Sequence, residues 1–466
     1  MVRFIGRDTE MASLDRLLRL VQRGDDHPGR AIAIRGRRRV GKSRLVTEWL
    51  RRTGLPSLHF TAEGSPLDQD LPAFVRELRT STLPDAAGFG TPASWSDALQ
   101  LLALVVPRDT PSVVVLDEVS YLSRADVGFE GALQSVWDTH LSRRPVLLVL
   151  IGSDRAEMER LTSHGRPFYG RATELSLGPL RPRDVANLTG LPAAEAIDAF
   201  LVTGGLPLVL SEWEEGMSVW DFLADSVTSP VSALLVSGER VMTSEFPVEA
   251  QARTVLRAIG HGERTFSNIA RAAGDIPHAS LQRSLGVLTA RQAVVEDVPL
   301  STKPAPRNKR YRIEDPYMRF WLAFLSDGIR RIDQGRPDVV LDRIRAGWTS
   351  WRGRAVEPVV RRMLHDLTGV IPESAEIGGW WTRTNDVEVD LVGADHAPVA
   401  GHVSFVGSVK WRDEHAFDAR DLADLVIHRD RVPGTTAETP LVAVTRAAID
   451  LAGVTVVTPQ MLVEGA

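Results

Sequence analysis

AIAIRGRRRVGKS, residues 31–43, joins a short apolar run to a basic loop bounded by glycines. Ala31-Ile32-Ala33-Ile34 has the length and bulk of a strand buried on both faces. GRRRVGKS then completes the pattern G-x-x-x-x-G-K-[S/T] between a strand and a helix, where a phosphate-binding loop has to sit. Gly36 and Gly41 let the backbone curl until its N–H groups converge on phosphate oxygens. Lys42 reaches the β- and γ-phosphates, and the Ser43 hydroxyl offers a Mg²⁺ ligand. Leu45, Val46, Trp49 and Leu50 recur with helical spacing, so the phosphates would also lie at a helix N-terminus. The expected nucleotide cradle is Gly36, Arg37, Arg38, Arg39, Val40 and Gly41, with Lys42, Ser43 and Arg44 at the helix start.

Val113-Val114-Val115-Leu116 is a continuous hydrophobic strand ending in Asp117-Glu118, about 75 residues after that loop. A carboxylate at the tip of a buried parallel strand suits a water-linked Mg²⁺, which makes Asp117 the second metal residue beside Ser43. Glu118 is placed to orient and deprotonate an attacking water. The 466 residues suffice for two to four domains, and 43% apolar with 25% charged residues is ordinary for a globular protein. A net charge of −5 supplies no global basic field for nucleic acid. The absence of cysteine excludes disulfides, thiolate catalysis and Cys-based zinc sites. The opening MVRFIGRDTEM lacks the apolar stretch of a secretion signal, and runs such as 146–151 are too short to span a bilayer. A cytoplasmic protein with no membrane contact is expected.

Residues 1–178 alternate strand and helix as an α/β domain with a parallel sheet should. Strands are expected at 31–35, 57–61, 112–117, 146–151 and 173–177, with a Pro/Gly/Ala/Ser-rich surface excursion at 81–96. Residues 179–246 read as a helical lid interrupted by Gly204-Gly205-Leu206-Pro207. Within 247–328, helices at 251–259, 265–273 and 279–290 precede two strand-like pieces, 293–298 and 309–313, around the tip STKPAPRN. Three helices and a β-wing are the plan of a winged helix-turn-helix. An aromatic helix follows (Phe320, Trp321, Phe324), then a polar, Arg-rich linker at 329–350 and a separate α/β unit at 351–466.

FIGRDTEMASLDRLL, GRRRVGKSRLV, VVLDEVSYL, IGSDRAEM, PFYGR and VTGGLPLVL together resemble the archaeal-type ATPase family. That family belongs to the signal-transduction ATPases with numerous domains (STAND), relatives of AAA+ proteins. The resemblance runs through YRIEDPYMRFWLAFL, where its winged helix ends, into a C-terminal restriction-endonuclease-like domain, and so covers nearly the whole chain. It implies ATP and Mg²⁺ as cofactors. It places Phe4-Ile5-Gly6-Arg7-Asp8 near the adenine, although Asp8 also suits an N-cap before a Leu-rich helix. Ser153 matches the polar sensor of the γ-phosphate, with a plain Gly-Ser-Asp turn as the alternative. Arg171 matches a transition-state arginine, acting in cis or from a neighbouring subunit of a homo-oligomer. Pro207 matches the proline that touches the adenine from the lid, while Gly-Gly-x-Pro is also an ordinary helix stop.

The wing carries Lys303, Arg307, Lys309, Arg310 and Arg312, with Arg283 and Arg291 on or near the third helix. Such a strip suits double-stranded DNA, and equally a solvated or packed hairpin. In the nuclease-like family a helix Glu, a strand Asp and an acid-x-Lys strand gather Mg²⁺. The matching residues are Glu357, Asp390, Ser408 and Lys410, with serine where the second strand acid belongs. Glu388, one pleat from Asp390, is the candidate substitute, but weakened or lost cleavage is the expectation. The reading is therefore a Mg²⁺-dependent ATPase of the STAND/AAA-like group that switches a winged helix and a degenerate nuclease-like domain. An ATP-regulated DNA-binding protein and an ATP-gated nuclease are the alternatives.

Overall fold

The computed structural model describes residues 4–23, 28–84, 90–245, 250–305, 307–447 and 449–465. They form two compact units, Met1–Pro179 and Leu180–Ala466. The first unit has five parallel strands: β1 (Arg30–Arg35), β2 (Ser57–Thr61), β3 (Ser112–Asp117), β4 (Val146–Gly152) and β5 (Ala172–Ser176). Their order is β2-β3-β4-β1-β5, so the strand feeding the glycine loop lies between β4 and β5. Each central strand is buried on both faces, which is why it reads as an uninterrupted apolar run. Ile32, Ile34, Val113 and Val115 pack on one side with α1 (Asp8–Gln22) and α2 (Lys42–Thr53). Ala31, Ala33, Val114 and Leu116 pack on the other with α3 (Leu67–Thr80) and α4 (Trp95–Val105). Helices α5 (Val119–Ala125), α6 (Phe129–Thr139) and α7 (Arg155–Thr162) complete the unit.

The supposed surface excursion at 81–96 ends in the core. Trp95 is fully buried, with its ring 5.8, 5.4 and 5.6 Å from those of Phe60, Phe74 and Phe129. A Pro/Gly-rich composition conceals one aromatic anchor. Residues 85–89 of that stretch, like Pro306 in the STKPAPRN tip, lie outside the described residues.

The second unit begins with α8 (Pro182–Thr189), α9 (Ala193–Thr203), α10 (Pro207–Leu210), α11 (Val219–Thr228) and α12 (Ala233–Glu245). Then come α13 (Ala250–Gly260), α14 (Phe266–Ala272), α15 (His278–Ala290) and an antiparallel pair, β6 (Val294–Asp297) with β7 (Arg310–Ile313). After α16 (Pro316–Phe320), Trp321–Leu325 forms a π turn. The stretch 329–350 is not a linker. It contains α17 (Ile329–Asp333) and the first half of α18 (Pro337–Leu364), a helix of 28 residues running through the expected boundary at 351. Val340, Ile344 and Trp348, spaced by four, are buried and hold that half in place.

A second five-stranded sheet follows in the order β12-β11-β10-β9-β8, built from β8 (Glu376–Trp381), β9 (Glu388–Ala394), β10 (Val403–Lys410), β11 (Leu441–Thr445) and β12 (Thr455–Val457). β8, β9 and β10 pair antiparallel, while β10, β11 and β12 pair parallel. Helices α19 (Ala419–Arg429) and α20 (Pro459–Gly465) accompany it. The expected divisions at 246, 328 and 350 all fall inside this one unit. Among the described residues no single helix is long and apolar enough to cross a membrane.

Candidate functional site

The glycine loop leaves β1 and turns into α2 through two residues with positive φ, Arg39 (69°) and Gly41 (92°). Gly36 is obligatory for a different reason: a Cβ there would sit 2.3 Å from the Leu177 carbonyl oxygen. No side chain caps α2 and its first turn holds no acid, which leaves the amide end of a twelve-residue helix to an anion. Lys42 is buried, and its Nζ donates to the Gly36 carbonyl at 2.9 Å, the Arg37 carbonyl at 3.0 Å and Ser153 Oγ at 3.0 Å. Burial lowers its pKa, against the attraction of Glu118 and Asp117. Arg38 donates to the Tyr121 hydroxyl at 2.7 Å.

Asp117 ends β3 and is buried. Burial alone would raise its pKa, but hydrogen bonds from His59 and Ser43 hold the carboxyl below its ordinary value. Ser43, at the start of α2, is thereby joined to Asp117 as a shared metal site requires. His59, with Nε2 3.6 Å from Asp117 Oδ2, was not legible as a site residue, because its neighbour lies on another strand. Glu118 adopts a left-handed conformation (φ 55°) that swings its side chain off the strand tip. Its carboxylate accepts from the Ser153 hydroxyl and, at 3.3 Å, from the Ser153 amide. Lys42, Ser153 and Glu118 thus form one chain of contacts at the tips of β1, β3 and β4. Here the donor set fits a polyphosphate with a hard cation: one ammonium, a hydroxyl beside a buried carboxylate, and a second carboxylate close by.

Residues 4–8 were expected near an adenine, with Asp8 as a helix cap the alternative. The cap of α1 is not Asp8 but Arg7, in a left-handed conformation, and Asp8 is the first helical residue. The buried Arg7 guanidinium donates to the Val40 carbonyl and to the Gly178 carbonyl, both at 2.8 Å. It ties the glycine loop to the end of the first unit.

Arg171 is not at this site in cis. Ala172 pairs with Ala31, so Arg171 lies at the starting edge of the sheet, whereas the loop leaves the finishing edge. Five residues of strand separate the two edges, roughly 16 Å. Asp138 accepts from Arg171 Nε and Nη2 at 2.8 and 2.7 Å, and Arg171 Nη1 donates to the Pro167 and Tyr169 carbonyls. Sequence position names the strand but not the edge. Pro207 opens α10 in the second unit, after Gly205, where a Cβ would meet the Leu180 carbonyl oxygen at 2.1 Å.

The expected nuclease residues are not assembled for metal. Asp390 Oδ2 accepts from Ser408 Oγ at 2.9 Å and from the Val409 amide at 2.8 Å. Lys410 turns to Asp421, 3.4 Å away. Glu388 cannot substitute for the missing acid, because Arg310 binds it at 2.5 Å. Glu357 lies 3.6 Å from Arg361. No group of three or more His, Cys, Asp or Glu suited to a metal exists among the described residues.

Burial, with Asp390 nearby, pushes the Glu357 carboxyl up to about 8. Between its ordinary value of 4.5 and about 8 the folded protein keeps a proton that the unfolded chain releases. Stability should therefore fall as pH rises through that window, by up to about 1.4 kcal/mol per pH unit from this group. Glu357→Gln should remove that share of the slope. Urea titrations at pH 5.5 and 8.5 check this, and an unchanged pH dependence in the variant would show that the carboxyl is ionised in the fold.

The basic strip of the hairpin is largely neutralised. Lys309 pairs with Glu296 at 2.6 Å, and Arg312 with Asp297 and Glu314 at 2.9 and 2.6 Å. Arg310 is buried between Glu388, Asn385 and the face of Trp381. Leu300 is buried in the core of the C-terminal sheet, and Ser301 bridges to Val399. Lys303, Arg307 and, on α15, Arg283 are exposed.

A family model described as archaeal and bacterial proteins of unknown function matches residues 321–422. An uncharacterized protein of Methanocaldococcus jannaschii is 23% identical over 449 residues, which cover 92% of each chain. Among solved structures, the chain is similar to the Walker-type ATPase PABY2304 of Pyrococcus abyssi, with 20% identity and a TM-score of 0.48 over 68% of this chain and 96% of that one. It is also similar to the Orc1 protein of Aeropyrum pernix, solved in complex with DNA, with 16% identity and a TM-score of 0.34 over 71% and 95% of the two chains.

Proposed function

We propose that this protein binds and hydrolyses ATP at residues 36–43, as a STAND/AAA-like switch. The observation that carries the reading is the contact chain Lys42–Ser153–Glu118, which gathers a cation, a polar sensor and a carboxylate beside an uncapped helix start. Loop amides and Lys42 hold the β- and γ-phosphates, and Lys42 exchanges its bonds to the Gly36 and Arg37 carbonyls for phosphate oxygens. Ser43 and Asp117 would hold Mg²⁺, which supplies charge neutralisation on the phosphates. Glu118 orients the attacking water and takes its proton, and Ser153 reports the γ-phosphate to Glu118. Arg7, bonded to both Val40 and Gly178, supports relay of loop position to the connection that leads into the lid and winged helix. A role for Arg171 at a neighbouring subunit's site is the form of the arginine reading compatible with its place at the far edge of the sheet. DNA is left out of this reading because Lys309, Arg310 and Arg312 are bound to carboxylates. Cleavage is left out because each nuclease-like acid is bound to a serine or an arginine.

Lys42→Ala tests the site. ATP binding by calorimetry should vanish while the thermal unfolding profile is retained, because the side chain bonds only loop carbonyls and Ser153. Wild-type affinity in the variant would remove the loop from the mechanism.

A further inference from the structure

The second unit encloses a cavity of about 350 Å³, walled by the end of α13, β7, the π turn, α18 and the ends of β8 and β9. That volume is at the lower end of small-ligand sites. Its lining holds seven arginines against three acidic residues, Asp297, Glu357 and Glu388. Those three are already engaged: Arg312 binds Asp297, Arg310 binds Glu388, and Arg361 lies beside Glu357. Of the remaining guanidiniums, Arg264 lies 3.7 Å from Glu388 and Arg343 3.8 Å from Asp327. Arg319 donates only to the carbonyls of Ala355 and Ile313, and Arg354 to Ser350; among the described residues neither has a carboxylate within ion-pair distance.

The rest of the wall is flat and apolar. Phe324 and Trp351 have ring centroids 5.6 Å apart, and the buried Trp351 indole N–H has no partner among the described residues. Phe324 belongs to the π turn, a rare distortion that recurs at functional sites. It is accommodated by Gly347, where a Cβ would meet its ring at 2.8 Å. A glycine in the middle of α18 costs about 1 kcal/mol against alanine, so the wall is built at the helix's expense.

We propose that this cavity binds a small phosphorylated molecule bearing a flat ring, of mononucleotide size. Two fixed positive charges with no acid of their own, Arg319 and Arg354, are poorly matched by one carboxylate. A phosphate carries more charge and accepts guanidinium N–H groups in pairs. Phe324 and Trp351 supply a stacking face for the ring. Glu357 and Glu388, the two expected metal acids that line this cavity, already lie against Arg361 and Arg310. This site is independent of the glycine loop.

The test uses full-length protein carrying Lys42→Ala, so that loop binding does not contribute. AMP, GMP, CMP, UMP and inorganic phosphate are titrated separately by calorimetry. At least one nucleoside monophosphate should bind one per chain, ten-fold or more tighter than phosphate. Arg354→Glu, on the exposed rim, should weaken it ten-fold or more, and Arg264→Glu likewise. The proposal is overturned if no monophosphate binds more tightly than phosphate, if both variants retain full affinity, or if only a 5′-phosphorylated oligonucleotide saturates the site.

Discussion

Glu118→Gln should bind Mg²⁺-ATP as the wild type does and turn it over ~10²–10⁴ times more slowly, the usual loss when one positioned base is removed. The amide keeps an oxygen to accept from Ser153, so the sensor contact and the shape of the site survive. It has no basic lone pair for the water's proton. Position 118 is also held in a left-handed backbone conformation, which costs a non-glycine residue about 1–2 kcal/mol. Strain of that size at a strand tip persists where it aims a working group. Single-turnover quench with radiolabelled ATP separates binding from chemistry here. Unchanged turnover would assign the water to another residue.

Asp198→Ala should destabilise the second unit by about 3–5 kcal/mol, as expected when one member of a buried charge network is removed. Asp198, on α9, is buried and accepts from Arg352 at 3.1 Å, Arg446 at 2.6 Å and the Trp411 indole at 2.9 Å. Arg352 is itself buried in α18. Without Asp198 the two guanidiniums share only Asp413, which binds Arg352 at 2.6 Å and Arg446 at 2.8 Å. Packing of α9 and α18 then carries an uncompensated cation. Denaturant unfolding followed by tryptophan fluorescence should show an earlier transition. A loss below about 1 kcal/mol would mean that water reaches these arginines.

The first unit was legible because its strands are buried on both faces, and an unbroken apolar run has few other readings. The glycine loop and Asp117-Glu118 were legible because motif and strand context coincide. Arg171 was not, since its position relative to the loop depends on the register of β5 against β1. Arg310 read as a surface charge because its partner, Glu388, is 78 residues away. The network around Asp198 left no local trace for the same reason. For the first half of α18, the spacing of Val340, Ile344 and Trp348 was present, but arginines between them made the stretch read as a linker.

The continuity of α18 limits how this chain can be recombined. A crossover at 350, where composition suggests a seam, would cut the helix between two buried faces: Val340, Ile344 and Trp348 before it, Ala355, Val356 and Val359 after it. It would also strand Leu300, whose packing partners Val389 and Val392 lie beyond the cut. The C-terminal sheet is therefore not a transferable cassette. Exchange among related genes would be tolerated near residue 180, where the chain passes from one compact unit to the next, and everything after that point travels as a single heritable block.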